Sequence, residues 1–575
     1  QRSIAELRDP VTQDLCTDQS RMQEIATSFY SQLFTPDRLD YIAIELLLRS
    51  IPSALKLTSD DYEILTTSID FEDILEGFKS SPRHSSPGSD GLPYEVLNLV
   101  MRFPPYQELL TTVFNDALDK GLFPDSWNQS IMTLLPTKKG DPSDMKNYRP
   151  LSLANCDYKY FTRILNRRMM EVSKKLINSN QIGFVPGKYI AENGLRCQLI
   201  MEDAQRQYDI AEQQTGTATL DKDIGLLLDQ EKAYDRVNLT FFKLVLNHYG
   251  FPETIIQCIY NLMALNTIKI NINGYFTGAI PKLRGFKQGD PLSCICYDLA
   301  FEPFLQGILT DTDFSGYTFH SHPSTIASTS VPPLQTKVLA YADDALVFVH
   351  DRADLRLLRY YMGLFCRASN AKFNYNKVEA FSLSGRDTWH YWQHPLEEMH
   401  IHKLHTRHDE APIVYLGFPL IQSTVQRTNH ITMIVDKLKA ATTLHATRSL
   451  SVVGRATVVN TLLLSKCWYI LRVTPLTQQD LHKITSVMIQ FLRRGIFPAI
   501  PWSTWTLPKN QGGLGVLDVP VQYMALYFRW GQPLVTTSSA STDADPLSNM
   551  LIQHVKNHNR TEFHQIPLLF PTTRK

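Results

Sequence analysis

Asp343 and Asp344 are adjacent carboxylates between two short apolar runs, Val338-Leu339-Ala340-Tyr341 and Ala345-Leu346-Val347-Phe348-Val349. Each run has the length and residue types of a strand, so the pattern predicts a β-hairpin whose tight turn carries both acids. Buried carboxylates side by side stay ionised where cations neutralise them. The turn is therefore a candidate divalent-cation site, although a solvated Asp-Asp turn that binds nothing accounts for the hairpin alone. A second element alters the balance. Asp223-Ile224-Gly225-Leu226-Leu227-Leu228 is an apolar strand ending in Asp229, and Gln230-Glu231-Lys232-Ala233-Tyr234-Asp235 reads as the start of a helix. A carboxylate at the exit of a buried strand and an Asp pair farther along the chain can converge on one pair of metals. Phosphoryl and nucleotidyl transfer use that arrangement to clamp the attacking and leaving oxygens. Hard oxygen ligands and phosphate substrates favour Mg²⁺ over a soft transition metal.

Between these elements lies Arg284-Gly285-Phe286-Lys287-Gln288-Gly289-Asp290-Pro291-Leu292-Ser293, in which two glycines bracket a Gln and a Pro opens a helical segment running through Tyr297 to Leu305. Small residues let a flat ligand approach the backbone, and Gln288 can hydrogen-bond a base or sugar. An ordinary loop before a helix would look the same in isolation.

In this order the three segments resemble the catalytic motifs of reverse transcriptases, specifically those of non-LTR retrotransposons. Asp229 with Ala233-Tyr234-Asp235 is similar to the first motif, Gln288 to Ser293 to the second, and Tyr341-Ala342-Asp343-Asp344 to the third. The resemblance extends to Ser86-Pro87-Gly88-Ser89-Asp90-Gly91-Leu92-Pro93, Asn147-Tyr148-Arg149-Pro150-Leu151-Ser152-Leu153, Gln181-Ile182-Gly183-Phe184 and Tyr415-Leu416-Gly417-Phe418-Pro419-Leu420. It continues in Ser451-Val452-Val453-Gly454-Arg455-Ala456 and Gly512-Gly513-Leu514-Gly515-Val516, and spans residues 20 to 535.

The resemblance implies an α+β right-hand polymerase and RNA-directed DNA polymerase activity. Asp229, Asp343 and Asp344 would hold two Mg²⁺ ions, with Mn²⁺ an acceptable substitute. Arg149 and Lys138 or Lys139 would reach the incoming triphosphate, the lysine register being ambiguous by one residue at Thr137. Tyr234 would lie under the sugar and exclude a 2′-hydroxyl, or else be a core aromatic at a helix start. Gln288 and Gly289 would meet the nucleotide or the template, and Lys377 would protonate the leaving pyrophosphate. The implied partners are an RNA template, a DNA primer and deoxynucleoside triphosphates. RNA-dependent RNA polymerases share the paired aspartate but carry Gly before it and Ser-Gly in place of Gln288-Gly289. Group II intron maturases share several motifs but lack the segments around Gly454 and Gly512. A catalytically silent retroelement remnant that binds RNA is the alternative of a different kind.

Composition sets weaker bounds. Fifty-seven basic and fifty-seven acidic residues leave no net charge to announce a nucleic-acid partner. Between Lys138 and Lys175, however, ten Lys or Arg face four acids, and Lys159, Arg163 and Arg167 would give one face of a helix over Tyr158–Leu176 a basic stripe suited to phosphates, or simply a solvated face. Eight scattered cysteines support neither a disulfide framework nor a zinc ribbon, which suggests a reduced, intracellular setting, nuclear on the presumed retrotransposon lifestyle. No apolar run is long enough to span a membrane, so no membrane partner is expected. A His-rich stretch (His390, His394, His400, His402, His405, His408) reads as an exposed irregular segment rather than a metal site. The first residue is Gln1, the endonuclease that retrotransposons of this class often encode has no room before residue 20, and neither a zinc knuckle nor an RNase H domain is visible; a fragment of a longer polyprotein is one explanation.

The elements that must position the acids follow from periodicity and punctuation. Residues 1–75 are expected as a helical N-terminal extension, with an amphipathic helix over Met22–Tyr30, and 76–200 as fingers containing a loop at 80–92 and a strand at Ser130–Pro136. Residues 201–395 form the palm, with surface insertions near 209–222 and 311–336. Residues 396–535 form the palm–thumb junction, a helical thumb and a C-terminal connection, and 536–575 a flexible tail.

Overall fold

The computed structural model describes residues 3–79, 81–82, 85–137, 140–215, 222–320, 334–536 and 546–559. Its helices and mixed sheets make an α+β protein, organised around two five-stranded sheets. The first has the strand order Val338–Tyr341, Asp344–Val349, Ile224–Leu228, Glu379–Ser382, Leu404–His405, antiparallel except for its last pair. Ile224–Leu228 reads as an unbroken apolar run because both of its faces are covered. Leu226, Leu228, Val347 and Val349 pack into the large core with the helices Ser293–Thr310 and Arg352–Ser369. Leu339, Leu346, Phe348 and Phe381 pack on the opposite side against Leu195 and Leu199 of the helix Ala191–Thr215.

The second sheet joins distant parts of the chain. Its order is Tyr148–Leu153, Gln129–Pro136, Asn266–Ile272, Tyr275–Phe276, with Ile280–Lys282 also pairing to Asn266–Ile272. The boundary expected near residue 200 is therefore crossed: strands from 266–282 complete a sheet begun at 129–153, leaving fewer backbone groups without a ladder partner. The helix Gln19–Phe34, capped by Asp18 accepting from Arg21 N–H, covers this sheet by setting Met22, Ile25, Tyr30 and Phe34 against Met132, Ile268 and Ile270.

The C-terminal third is helical. Ile431, Ile434 and Leu438 of Thr424–Ala446 meet Leu463, Ile484 and Met488 in a separate core. The two motifs here have local structural reasons. Ser451 caps the helix Val452–Val458 by accepting from Gly454 N–H at 3.1 Å, and a Cβ on Gly513 would lie 2.0 Å from the Leu507 carbonyl oxygen.

Three expectations are corrected. The basic stripe is not a free phosphate-binding face. Lys159 is buried with Nζ 3.4 Å from the Ser86 carbonyl, Arg163 donates to Ser81 Oγ at 2.6 Å, and Arg167 pairs with Asp73 and Glu76. The helix, which runs Cys156–Ser173, uses those cations to hold Phe71–Lys79 and the loop after it. In the His-rich stretch, His390 and His394 belong to the helix Trp389–Glu397, and His405 to a strand. The region expected as a flexible tail contains the helix Pro546–Asn559, whose Leu547 and Met550 are buried in the core that includes Leu195 and Leu199. Thr536 ends a helix, and the rest of the expected flexible stretch Thr536–Asp545 lies outside the described residues, as do parts of both expected insertions. Among the described residues no helix is long and apolar enough to cross a membrane.

Gly225 is the tightest point of the first sheet: a Cβ there would lie 2.4 Å from Cζ of the fully buried Phe381. Gly225→Ala should therefore destabilise the protein by about 1–3 kcal/mol, the usual cost of overpacking a core. Denaturant unfolding of both proteins checks this, and equal midpoints with equal slopes would mean that Phe381 repacks freely.

Candidate active site

The register of the first sheet brings the acids together. Ala345 pairs with Leu228 across the antiparallel strands, so Asp344 and Asp229, one step beyond, leave the same end of the sheet. Tyr341 pairs with Asp344, which makes Ala342 and Asp343 the hairpin turn, with Ala342 in the left-handed region at φ 51°. All three carboxylates line one cavity of 810 Å³ together with Arg149, Lys232, Tyr234, Gln288, Gly289 and Lys377. Every sequence-derived candidate is thus at this cavity except Lys138 and Lys139, which lie outside the described residues.

Each neighbour is held for a visible reason. Asn374 N–H donates to the Asp229 carbonyl at 2.8 Å and Glu231 N–H to the Lys372 carbonyl at 2.8 Å. That pairing sets the Lys377 ammonium 3.6 Å from Asp229 Oδ2. Arg149 comes from the second sheet, opposite Leu135. The glycine loop is laid against both sheet systems: Phe286 N–H donates to the Tyr234 carbonyl at 2.7 Å, and Ser152 N–H to the Gln288 carbonyl at 2.8 Å. Gly289 has φ 106° and so little room that a Cβ would be 3.1 Å from the Ser152 carbonyl oxygen. Gln288 Nε2 donates to Asp235 Oδ2 at 3.1 Å, so the side chain expected to meet the ligand is first oriented by the protein. The Tyr234 ring stacks on Tyr297 with centroids 4.5 Å apart while lining the cavity, which gives it a core role and a site-facing position at once.

The cavity lining carries both acids and cations. Burial pushes the Asp229 and Asp343 carboxyls above the usual range, Lys377 opposing the shift at Asp229. Asp344 opens to solvent but is walled by protein, and burial together with Asp343 and Asp229 raises it to about 6. Of the cations, burial lowers Lys232, whose ammonium donates to the Tyr148 carbonyl beside Arg149. Among the described residues no group of three or more His, Cys, Asp or Glu side chains is arranged to hold a metal ion. The donor chemistry nevertheless fits a hard divalent cation: the set is all oxygen, and Asp229 Oδ2 is buried with no hydrogen-bond partner.

Comparison with known proteins agrees with the geometry. Residues 137–420, which contain every one of these candidates, match the family described as reverse transcriptase (RNA-dependent DNA polymerase). The chain is 28% identical over 514 residues to the Transposon TX1 uncharacterized 149 kDa protein of Xenopus laevis, covering 88% of this chain and 36% of that one. It is 23% identical to the RNA-directed DNA polymerase from mobile element jockey of Drosophila melanogaster, over 64% of this chain and 37% of the relative. It is 22% identical to the Pol polyprotein of retrotransposable element R2DM from the same fly, over 78% and 38%. Residues 137–420 thus carry a reverse transcriptase match, and the relatives are proteins of non-LTR retrotransposons. It spans little more than a third of the length of these relatives.

Three features of this reverse transcriptase domain escaped sequence reasoning. Lys232 caps the expected helix, which runs Ala233–Arg236, and its left-handed φ of 52° accompanies a side chain that lines the cavity. Asp235 is fully buried 4.0 Å from Lys282, with burial raising the acid to about 6 and lowering the lysine to about 8. Gln181 contacts the Asp-pair turn. Only the charge of Lys232 beside Asp229 was a usable signal; the other two depend on contacts between remote segments.

Crowding of carboxylates has a measurable cost. Asp344 is raised in the folded protein relative to its ordinary 3.8, so its ionised form opposes folding above about pH 6 and this penalty fades as pH falls towards 3.8. In the presence of a chelator, Asp344→Asn should melt higher than the parent chain at pH 7, and the gap should narrow as pH is lowered through that window. Thermal unfolding at several pH values checks it; a variant that melts lower throughout would show that Asp344 is a net stabilising group.

Proposed function

We propose that this chain is an RNA-directed DNA polymerase that extends a primer 3′-hydroxyl with deoxynucleotides on an RNA template, in target-primed synthesis for a retrotransposon acting in the nucleus. The observation that carries the reading is the convergence of three carboxylates from two separate segments, one strand end and one hairpin turn, on a cavity also lined by Arg149, Lys232 and Lys377. In this reading the sheet of Asp229 is the palm, 201–395, with the edge strand Leu404–His405 added from beyond it. The paired strands Gln129–Pro136 and Tyr148–Leu153 belong to the fingers, and the helices from Thr424 onward to the thumb.

Asp229, Asp343 and Asp344 would hold two magnesium ions, with manganese a substitute. Bound there, they would supply charge neutralisation for the triphosphate and activation of the primer hydroxyl for in-line attack. The chain's own residues do the rest. Arg149 takes a phosphate through a planar, bidentate contact, and Lys232 adds a point charge beside it; Lys138 or Lys139 is the further candidate for that task. Lys377, held near Asp229, is placed to give a proton to the departing pyrophosphate. Gln288 and Gly289 let the nucleotide or template lie close to backbone. Tyr234, braced by Tyr297, is in this reading the group that excludes a 2′-hydroxyl.

Primer extension on an RNA template with deoxynucleotides and magnesium tests the reading. The wild-type chain should extend and Asp343→Asn should not, with template binding and unfolding temperature of the variant retained. Failure of both proteins to extend while binding template would favour a silent RNA-binding remnant. In the same assay Tyr234→Ala should admit ribonucleotides; an unchanged preference for deoxynucleotides would remove the tyrosine from sugar selection.

A further inference from the structure

Asn180–Phe184 runs beside the Asp-pair hairpin, and the chemistry above gives it no task. It joins the hairpin edge through its backbone. Ala340 N–H donates to the Asn180 carbonyl at 3.0 Å and Ile182 N–H to the Ala340 carbonyl at 3.0 Å, a short parallel pairing of Gln181 with Ala340. Gln181 is wholly buried, and its amide reaches past this pairing to the turn itself. Its Oε1 accepts from Ala342 N–H at 2.9 Å and its Nε2 donates to the Ala342 carbonyl at 3.1 Å. The same Oε1 accepts from Gly183 N–H at 2.9 Å.

Ala342 is the residue whose φ of 51° turns the chain between Tyr341 and the Asp pair, a conformation unfavourable for anything with a Cβ. A primary amide offers a donor and an acceptor side by side in one plane, so it can satisfy both backbone groups of one residue. Buried as it is, such a network, with both backbone groups of Ala342 paired, favours one geometry. Gly183 allows the approach: a Cβ there would be 2.2 Å from the Ala342 nitrogen. Asn193 braces the arrangement from the helix Ala191–Thr215, donating to the Ala340 carbonyl at 3.0 Å.

We propose that Gln181 is a positioning residue for polymerisation, holding Ala342 in its left-handed conformation so that Asp343 and Asp344 leave the turn towards Asp229. The proposal rests on the reading of this turn as catalytic. It assigns Gln181 no contact with substrate.

The test compares the wild type, Gln181→Ala, Gln181→Ala with Ala342→Gly, and Asp343→Asn in single-nucleotide extension, alongside hydrogen–deuterium exchange of peptides covering 338–349. Gln181→Ala should lower kcat on the order of 100-fold, the scale of a catalytic group misplaced by about 1 Å, with KM for the deoxynucleotide little changed. Exchange at the turn should quicken. Ala342→Gly should restore part of the lost rate in that background, because glycine takes the left-handed conformation without help. Should Gln181→Ala fail to fold, Gln181→Glu, which keeps both accepted bonds and loses the donated one, is judged by the same criteria. An unchanged kcat, unchanged exchange at the turn, or a lost rate that glycine does not recover at all overturns the proposal while leaving the catalytic reading intact. Extension by Asp343→Asn equal to wild type, or none by wild type, removes the catalytic reading and the proposal with it.

Discussion

Like charges held close together repel, and that repulsion is the constraint around which this fold is organised. Two carboxylates roughly 5 Å apart at an effective dielectric constant of about 20 cost about 3 kcal/mol per pair. Burial adds to the cost, and the upward shifts of Asp229, Asp343 and Asp344 register both effects. A loop could not hold such a trio, because each acid would swing into solvent. Here Asp229 and Asp344 are consecutive with paired residues of a sheet buried on both faces, and Asp343 is locked in a two-residue turn. Separating the acids would require breaking the ladder or opening the core.

The same logic explains why the cations are where they are. Arg149 and Lys232 line the same cavity as the acids without forming an ion pair with any of the three, and Arg149 partly offsets the upward shifts of Asp343 and Asp344. Lys377 approaches Asp229 only to 3.6 Å and is largely exposed. A cavity lined by both signs of charge is poorly suited to a neutral or simply anionic ligand. The proposed polyphosphate with its divalent cations would answer both, phosphates meeting the lysine and arginine groups and cations the carboxylates. The buried Asp235–Lys282 pair serves a different end. Removing either partner would strand a charge in the core, so the pair enforces its own geometry, and through Asp235 that of Gln288.

Much of this was legible in the chain because the chemistry is carried by local patterns. An apolar run ending in Asp229 and an Asp pair between two β-forming runs each specify a strand with an acid at its end. Convergence of the two is a property of sheet order, which no periodicity encodes; the resemblance to a known class of polymerase supplied it. The mistakes have physical causes as well. The basic stripe of Lys159, Arg163 and Arg167 was indistinguishable from a phosphate-binding face because acids such as Asp73 and Glu76, remote in sequence, neutralise it. The sheet shared by 129–153 and 266–282 was invisible because strand partners are chosen by edges left open in three dimensions. The helix Pro546–Asn559 was missed because its short apolar face becomes meaningful only against Ala191–Thr215.

Gln181 shows where legibility ends. Its motif was recognisable, but a Gln followed by Ile-Gly-Phe has no chemistry of its own, and the functional weight of the segment comes from what it touches. The amide answers the N–H and C=O of Ala342, a residue whose backbone groups cannot both be satisfied by the hairpin because it lies at the turn. The glycine two positions later is required by distance alone. An acid pair at a tight turn demands a strained residue before it; a strained residue in a buried site demands that its backbone groups be paired; and pairing both from one side demands an amide on a strand approached without a Cβ in the way. Each requirement follows from the one before, which is why a segment with no reactive group is tied to the candidate site as firmly as the aspartates are.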